Sequence, residues 1–223
     1  MARRRITKKK AGIKPDEFIS TWAKVIQYFY GNQLFFYITV LVVIAMAVGI
    51  IAGSFLYFHR QTESQEILNN GITLYHSAGS SEEELGKALL VFETVAKKYP
   101  LSKARKIAIL YQGDVLFDLK KYDESLDAFT SAERKLKGPF KHIATKNIGY
   151  SYEQLGDYEK ASETFKRLIS PNREEAYLDL IRNLEKAGKK DEVKTYAKEY
   201  LTHFPDSSHV PAIKEKIGET GDN

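Results

Sequence analysis

The chain has 223 residues, a formal net charge of +5, a pI near 9.1 and no cysteine, which excludes a disulfide framework, a thiolate zinc site and a cysteine nucleophile. A basic total ordinarily raises nucleic acid as a partner, but the excess is confined to one end. Residues 1–33 carry a net +6, residues 34–58 carry no charge, and the remainder is balanced at a net −1, so the large C-terminal part has no electrostatic case for nucleic acid.

The first element in chain order is a basic tail, with Arg3, Arg4, Arg5, Lys8, Lys9, Lys10 and Lys14. It leads into "PDEFISTWAKVIQYFYGN", where Phe18, Trp22, Val25, Ile26 and Phe29 fall at spacings of three and four. Pro15 suits a first helical position and Gly31 a stop, so an amphipathic helix lying on a membrane face is expected, its basic neighbours drawn to anionic lipid.

The next element, "LFFYITVLVVIAMAVGIIAGSFLYF", is 25 residues without a charge. As a helix it reaches about 37 Å, more than the roughly 30 Å of a bilayer core. It is too long for the apolar region of a signal peptide, and it ends in Phe-Leu-Tyr-Phe-His-Arg rather than in small residues. The reading is therefore a single transmembrane helix. Lys and Arg crowd its N-terminal flank while Arg60 alone precedes Glu63 and Glu66 on the other, which predicts a cytoplasmic N-terminus and a C-terminal domain across the membrane. Ala45, Gly49 and Gly53 recur every four residues, a small face suited to a second transmembrane helix or a homodimer.

Beyond residue 66 the apolar spacing is helical throughout, and the sequence repeats itself. "IAILYQGDVLFDLKKYDESLDAF" (107–129) aligns with "IATKNIGYSYEQLGDYEKASETF" (143–165), pairing Gly113 with Gly149, Tyr122 with Tyr158 and Phe129 with Phe165, each 36 residues apart. A fixed period in this range marks a helical solenoid. With Gly149, Tyr152, Gly156, Tyr158, Ala161 and Phe165 in one unit, and Gly113, Tyr122, Ser125, Phe129 and Ala132 in the unit before, the chain resembles the tetratricopeptide repeat family.

A less regular unit precedes these, with Ala88, Phe92 and Pro100 closing its second helix and a stretched loop expected after its first helix near Ile67 to Tyr75. A last unit carries Gly188 and Pro205 but has Ile181 and Val193 at the small positions, and "SSHVPAIKEKI" is expected to cap the stack. The fold class expected is thus all-α, a single transmembrane helix followed by a tetratricopeptide-type solenoid. Its domains are a basic tail with juxtamembrane helix (1–32), the span (33–58), a connector (59–66), the repeat domain (67–217) and a disordered tail (218–223).

Glycines, alanines and aromatics at the motif positions are joints between helices, not chemistry. The stretch "GSSEEELGK" imitates a phosphate loop, but its spacer is too long, Ala88 replaces the Ser or Thr, and three glutamates repel phosphate; Ser80 or Ser81 capping a helix is the better reading. The histidines show no metal-ligand spacing, so neither enzyme activity nor a cofactor or metal is expected. What a solenoid offers is a groove lined by first-helix residues facing away from the second helix. Projection places Leu110, Asp114, Phe117 and Asp118 there from one unit, and Lys146, Tyr150, Glu153 and Gln154 from the next, a mix suited to a peptide or another protein.

The order of basic tail, amphipathic helix, span and translocated repeat domain is similar to that of the YfgM-like bacterial inner-membrane family. That resemblance implies association with the Sec translocon and periplasmic chaperones, and a role assisting translocated envelope proteins. A structural scaffold in another envelope assembly, for division, secretion or pilus formation, is the alternative.

Overall fold

A computed structural model describes residues 23–28 and 31–218, and all the regular structure among them is helical. Two compact units meet between Tyr57 and Phe58. In the first, residues 23–28 are helical with Val25 and Ile26 exposed; Phe18, Trp22 and Phe29 lie outside the described residues. The 46-residue helix α1 (Gln33–Ala78) begins in this unit, and its apolar part is long enough to cross a membrane, with none of it buried among the described residues. A Cβ added at Gly49 or Gly53 would meet nothing within 4 Å, so the small face containing Ala45 carries no packed helix among the described residues.

The second unit starts at Phe58 and uses the rest of α1 as its first helix. Residues 59–66, expected to be a connector, are helical throughout, and the stretched loop shrinks to residues 79–81. Then follow α2 (Glu82–Lys98), α3 (Lys103–Asp118), α4 (Tyr122–Lys135), α5 (Gly138–Gln154), α6 (Tyr158–Lys166), α7 (Glu174–Lys186), α8 (Lys190–His203) and α9 (Val210–Lys216). Helix starts follow local chemistry. Ser81 Oγ accepts from the Glu84 amide ahead of three glutamates, Ser102 Oγ from that of Arg105 and Asp157 Oδ1 from that of Lys160, satisfying amides the helix itself leaves unpaired. Pro139 occupies the first turn of α5, where its missing N–H costs nothing.

Hairpin geometry follows from size complementarity inside each pair. A Cβ on Gly113 would sit 2.5 Å from Phe129, one on Gly149 2.7 Å from Phe165, and one on Gly71 2.8 Å from Phe92. All three rings are essentially inaccessible to solvent, so each glycine lets its helix rest directly against a ring. The last hairpin reverses the sizes: Ile181 stands at the glycine's position and Ala197 at the ring's, both buried in one cluster with Leu180, Leu184 and Tyr200. Tyr200 closes that end, donating to Glu174 at 2.5 Å with the Ser207 hydroxyl 2.6 Å from the same phenol oxygen, and its burial pushes the phenol up to about 12. The turns after α5 and α7 need a left-handed residue and use Gly156 (φ 77°) and Gly188 (φ 72°); the turn after α3 puts Lys120 there instead (φ 60°).

Candidate functional site

The first helices of successive hairpins, α3, α5 and α7, lie side by side with the end of α1, and polar side chains join them. Tyr75 on α1 donates to Asp118 on α3 at 2.7 Å. Asn147 on α5 donates to Asp114 on α3 at 2.8 Å, and Tyr150 on α5 donates to Asp179 on α7 at 2.9 Å. These last two are the same diagonal bond one repeat apart, because Asp114 and Tyr150 are 36 residues apart and Asn147 and Asp179 occupy equivalent positions in the shorter last repeat. Glu153 closes the series, accepting from Arg182 at 2.7 Å and 3.0 Å, from Lys186 at 2.8 Å and from Asn183 at 3.2 Å.

Electrostatics differ along this row. Burial would raise the Glu153 carboxyl, but the hydrogen bonds from Arg182, Lys186 and Asn183 outweigh it and hold it down at about 2. Asp114 goes the other way. Its burial, reinforced by the charge of Asp118 and only partly opposed by the Asn147 amide, lifts its carboxyl to about 7. Burial and a neighbouring carboxylate likewise raise the phenols of Tyr75 and Tyr150.

Of the eight residues projected onto the groove, Asp114, Phe117, Asp118 and Tyr150 come together around one cavity of about 140 Å³, walled also by Tyr75, Phe129 and Asn147. Lys146 lies at a second, wider recess of about 650 Å³ with His142, Ile143, Arg173 and Glu175, where its ammonium pairs with Glu175 at 3.1 Å. There Arg173 donates to the ring of His142, whose pKa is lowered by burial and by the charges of Arg173 and Lys146. Glu153 is committed to α7 through Arg182 and Lys186, and Gln154 is exposed at the end of α5. Leu110 is a correction. It is 4% exposed and packs in the cluster of Phe129, Ala132 and Ile148, so it belongs to the core rather than to the groove.

Residues the projection missed are Tyr75, Asn147, Asp179 and Arg182. The first two carry a sequence signal, since Tyr75, Tyr111 and Asn147 are spaced by 36 and the last two directly follow Leu110 and Lys146. No group of three or more His, Asp or Glu among the described residues is placed to hold a metal ion.

A tetratricopeptide repeat family model matches residues 147–174, which run from the end of α5 through α6 to the start of α7. Among solved structures, the MamA RS-1 ArsTM double mutant is similar with a TM-score of 0.56 and 13% identity, over 70% of this chain and 85% of that one. A putative kinesin light chain with nearly identical TPR-like repeats, from Podosopora anserina, gives 0.50 and 10%, over 71% and 82%. No curated protein sequence matches the chain. The fold is a tetratricopeptide-type α-solenoid, a class of protein-binding scaffold, and no catalytic family is indicated.

Proposed function

We propose that this chain is a membrane-anchored protein–protein interaction adaptor. Residues 33–58 span the bilayer, the basic tail and juxtamembrane helix of residues 1–32 lie on the cytoplasmic side of a bacterial inner membrane, and the repeat domain, 67–217, works in the periplasm. The groove face of α3, α5 and α7 binds a segment of another protein, and the small face of Ala45, Gly49 and Gly53 is available to a second transmembrane helix. Resemblance to the YfgM-like family makes the Sec translocon and periplasmic chaperones the partners of choice, with service to translocated envelope proteins as the role.

The observation that carries this reading is the pairing of an unburied, uncharged helical run with a solenoid whose first helices border two recesses, the smaller lined by aromatic and acidic side chains and the larger by charged and aliphatic ones. The test is crosslinking in native membranes followed by affinity purification through the C-terminal domain. Translocon subunits and chaperones with varied transient clients are expected. Recovery of a single large assembly would favour the structural scaffold, and recovery of neither translocon nor chaperone would remove the Sec assignment.

A further inference from the structure

We propose that the aromatic-walled recess between α1, α3 and α5 is the anchor pocket of the groove and takes the cationic end of a lysine or arginine side chain from the bound polypeptide. This deepens the adaptor reading and rests on it.

Charge complementarity along the groove carries the inference. Glu153, Glu175 and Asp179 each have a cation of this chain at ion-pair distance, Arg182 or Lys186 for the first, Lys146 for the second and Arg182 for the third. Asp114 and Asp118 have none among the described residues; each accepts one hydrogen bond from a neutral donor, Asn147 or Tyr75, and its second oxygen accepts none. The recess they share is walled by the rings of Tyr75, Phe117, Phe129 and Tyr150. Ring faces attract a cation through their quadrupole and cover the methylene stem that delivers it.

Size narrows the occupant. At about 140 Å³ the recess is well below the roughly 300–1,000 Å³ of pockets that enclose a small molecule, and suits the end of one side chain. Asp118, at the rim, is exposed, so the recess is reached from the groove.

The titratable groups facing Asp114 are Asp118 and Tyr111 on its own helix, Tyr75 on α1 and Tyr150 on α5, while α4 contributes only the Phe129 ring. None supplies positive charge. An entering cation therefore favours the ionised form of Asp114 and releases a proton, and binding tightens as pH rises from 6 to 8.

The experiment uses the full chain in lipid nanodiscs and two matched sets of short peptides, one with a central lysine and the other with norleucine at that place. Norleucine keeps the stem and lacks the ammonium. The wild type is expected to bind the lysine set about tenfold tighter, the scale of a charge-assisted hydrogen bond, and more so at pH 8 than at pH 6. Asp114→Asn and Asp118→Asn should both erase that preference; the second is at an exposed position where the amide oxygen can still accept from Tyr75, so the fold is expected to be kept. If the wild type binds both sets equally, or if the preference survives in both variants, the anchor pocket is wrong while the groove reading stands. If neither set binds, the groove reading falls as well.

Discussion

Gly113→Ala is expected to destabilise the repeat domain, although alanine is the better helix former. Inside an open helix face the substitution gains about 0.8–1.0 kcal/mol. At Gly113 the new methyl carbon would lie 2.5 Å from both Cδ1 and Cε1 of Phe129 and 2.9 Å from its Cγ. Because Cγ is the root of the ring and Phe129 is 1% exposed, relief requires α4 to move away from α3. Overpacking of this kind costs about 1–3 kcal/mol, so the net loss is about 1 kcal/mol. Gly86→Ala is the internal control: it too is within a helix, α2, but its added methyl meets nothing within 4 Å, and it should stabilise by about 1 kcal/mol. The two variants should differ by about 2 kcal/mol, or about 4–8 °C in Tm for a domain of this size, read by far-ultraviolet circular dichroism of the full chain in detergent. Adding Phe129→Leu to Gly113→Ala should cost less than the sum of the two single changes. If Gly113→Ala stabilises as much as Gly86→Ala, the glycine-on-ring account of the hairpins is wrong.

Stability should also depend on pH through Asp114. Its folded-state pKa is raised, so the folded chain holds a proton that the unfolded chain releases; the associated stability is present in acid and is lost as pH rises from about 4 to about 7. Glu153, held at about 2, acts oppositely, and its contribution is lost as pH falls below the ordinary glutamate range. Chemical denaturation from pH 4 to pH 8 should show a decline that Asp114→Asn abolishes; an unchanged slope would refute this assignment. Lys120→Gly should raise stability by about 0.5–1 kcal/mol by removing a left-handed lysine, and no gain in Tm would contradict it. Protease added outside spheroplasts should digest the domain beyond about residue 60, and full protection would overturn the orientation inferred from the Lys and Arg bias.

The two central hairpins were readable because glycine and phenylalanine recur in them at one spacing, Gly113 to Phe129 and Gly149 to Phe165, and that spacing is what lets a helix lie on a ring. The first hairpin was blurred because Gly71 reaches Phe92 across 21 residues instead of 16, the difference being absorbed by longer helix on both sides of the turn, to Ala78 in α1 and from Glu82 in α2, rather than by a loop. The last was blurred because Ile181 and Ala197 exchange large and small, which fills the same space but breaks the pattern. Groove residues were harder for a geometric reason. A repeat period equates positions between units but does not say which face they occupy, and one residue turns a helix by about 100°. Hence Leu110 and Lys146 are equivalent in sequence, yet one is in the core and the other pairs with Glu175 beside a recess. The cross-helix bonds of Asn147, Asp179 and Arg182 are long-range, joining residues about thirty apart through turns of unequal length, and local spacing does not encode them.

The measurement that tests the adaptor account most directly is site-specific photocrosslinking in intact cells. A photoreactive phenylalanine analogue is placed either at Gln154, exposed at the C-terminal end of α5 and projected onto the groove, or at Glu163, exposed on the second helix of the same hairpin. The account predicts discrete protein adducts from position 154 and none from position 163. Adducts from position 163 alone, or from neither position, would contradict it.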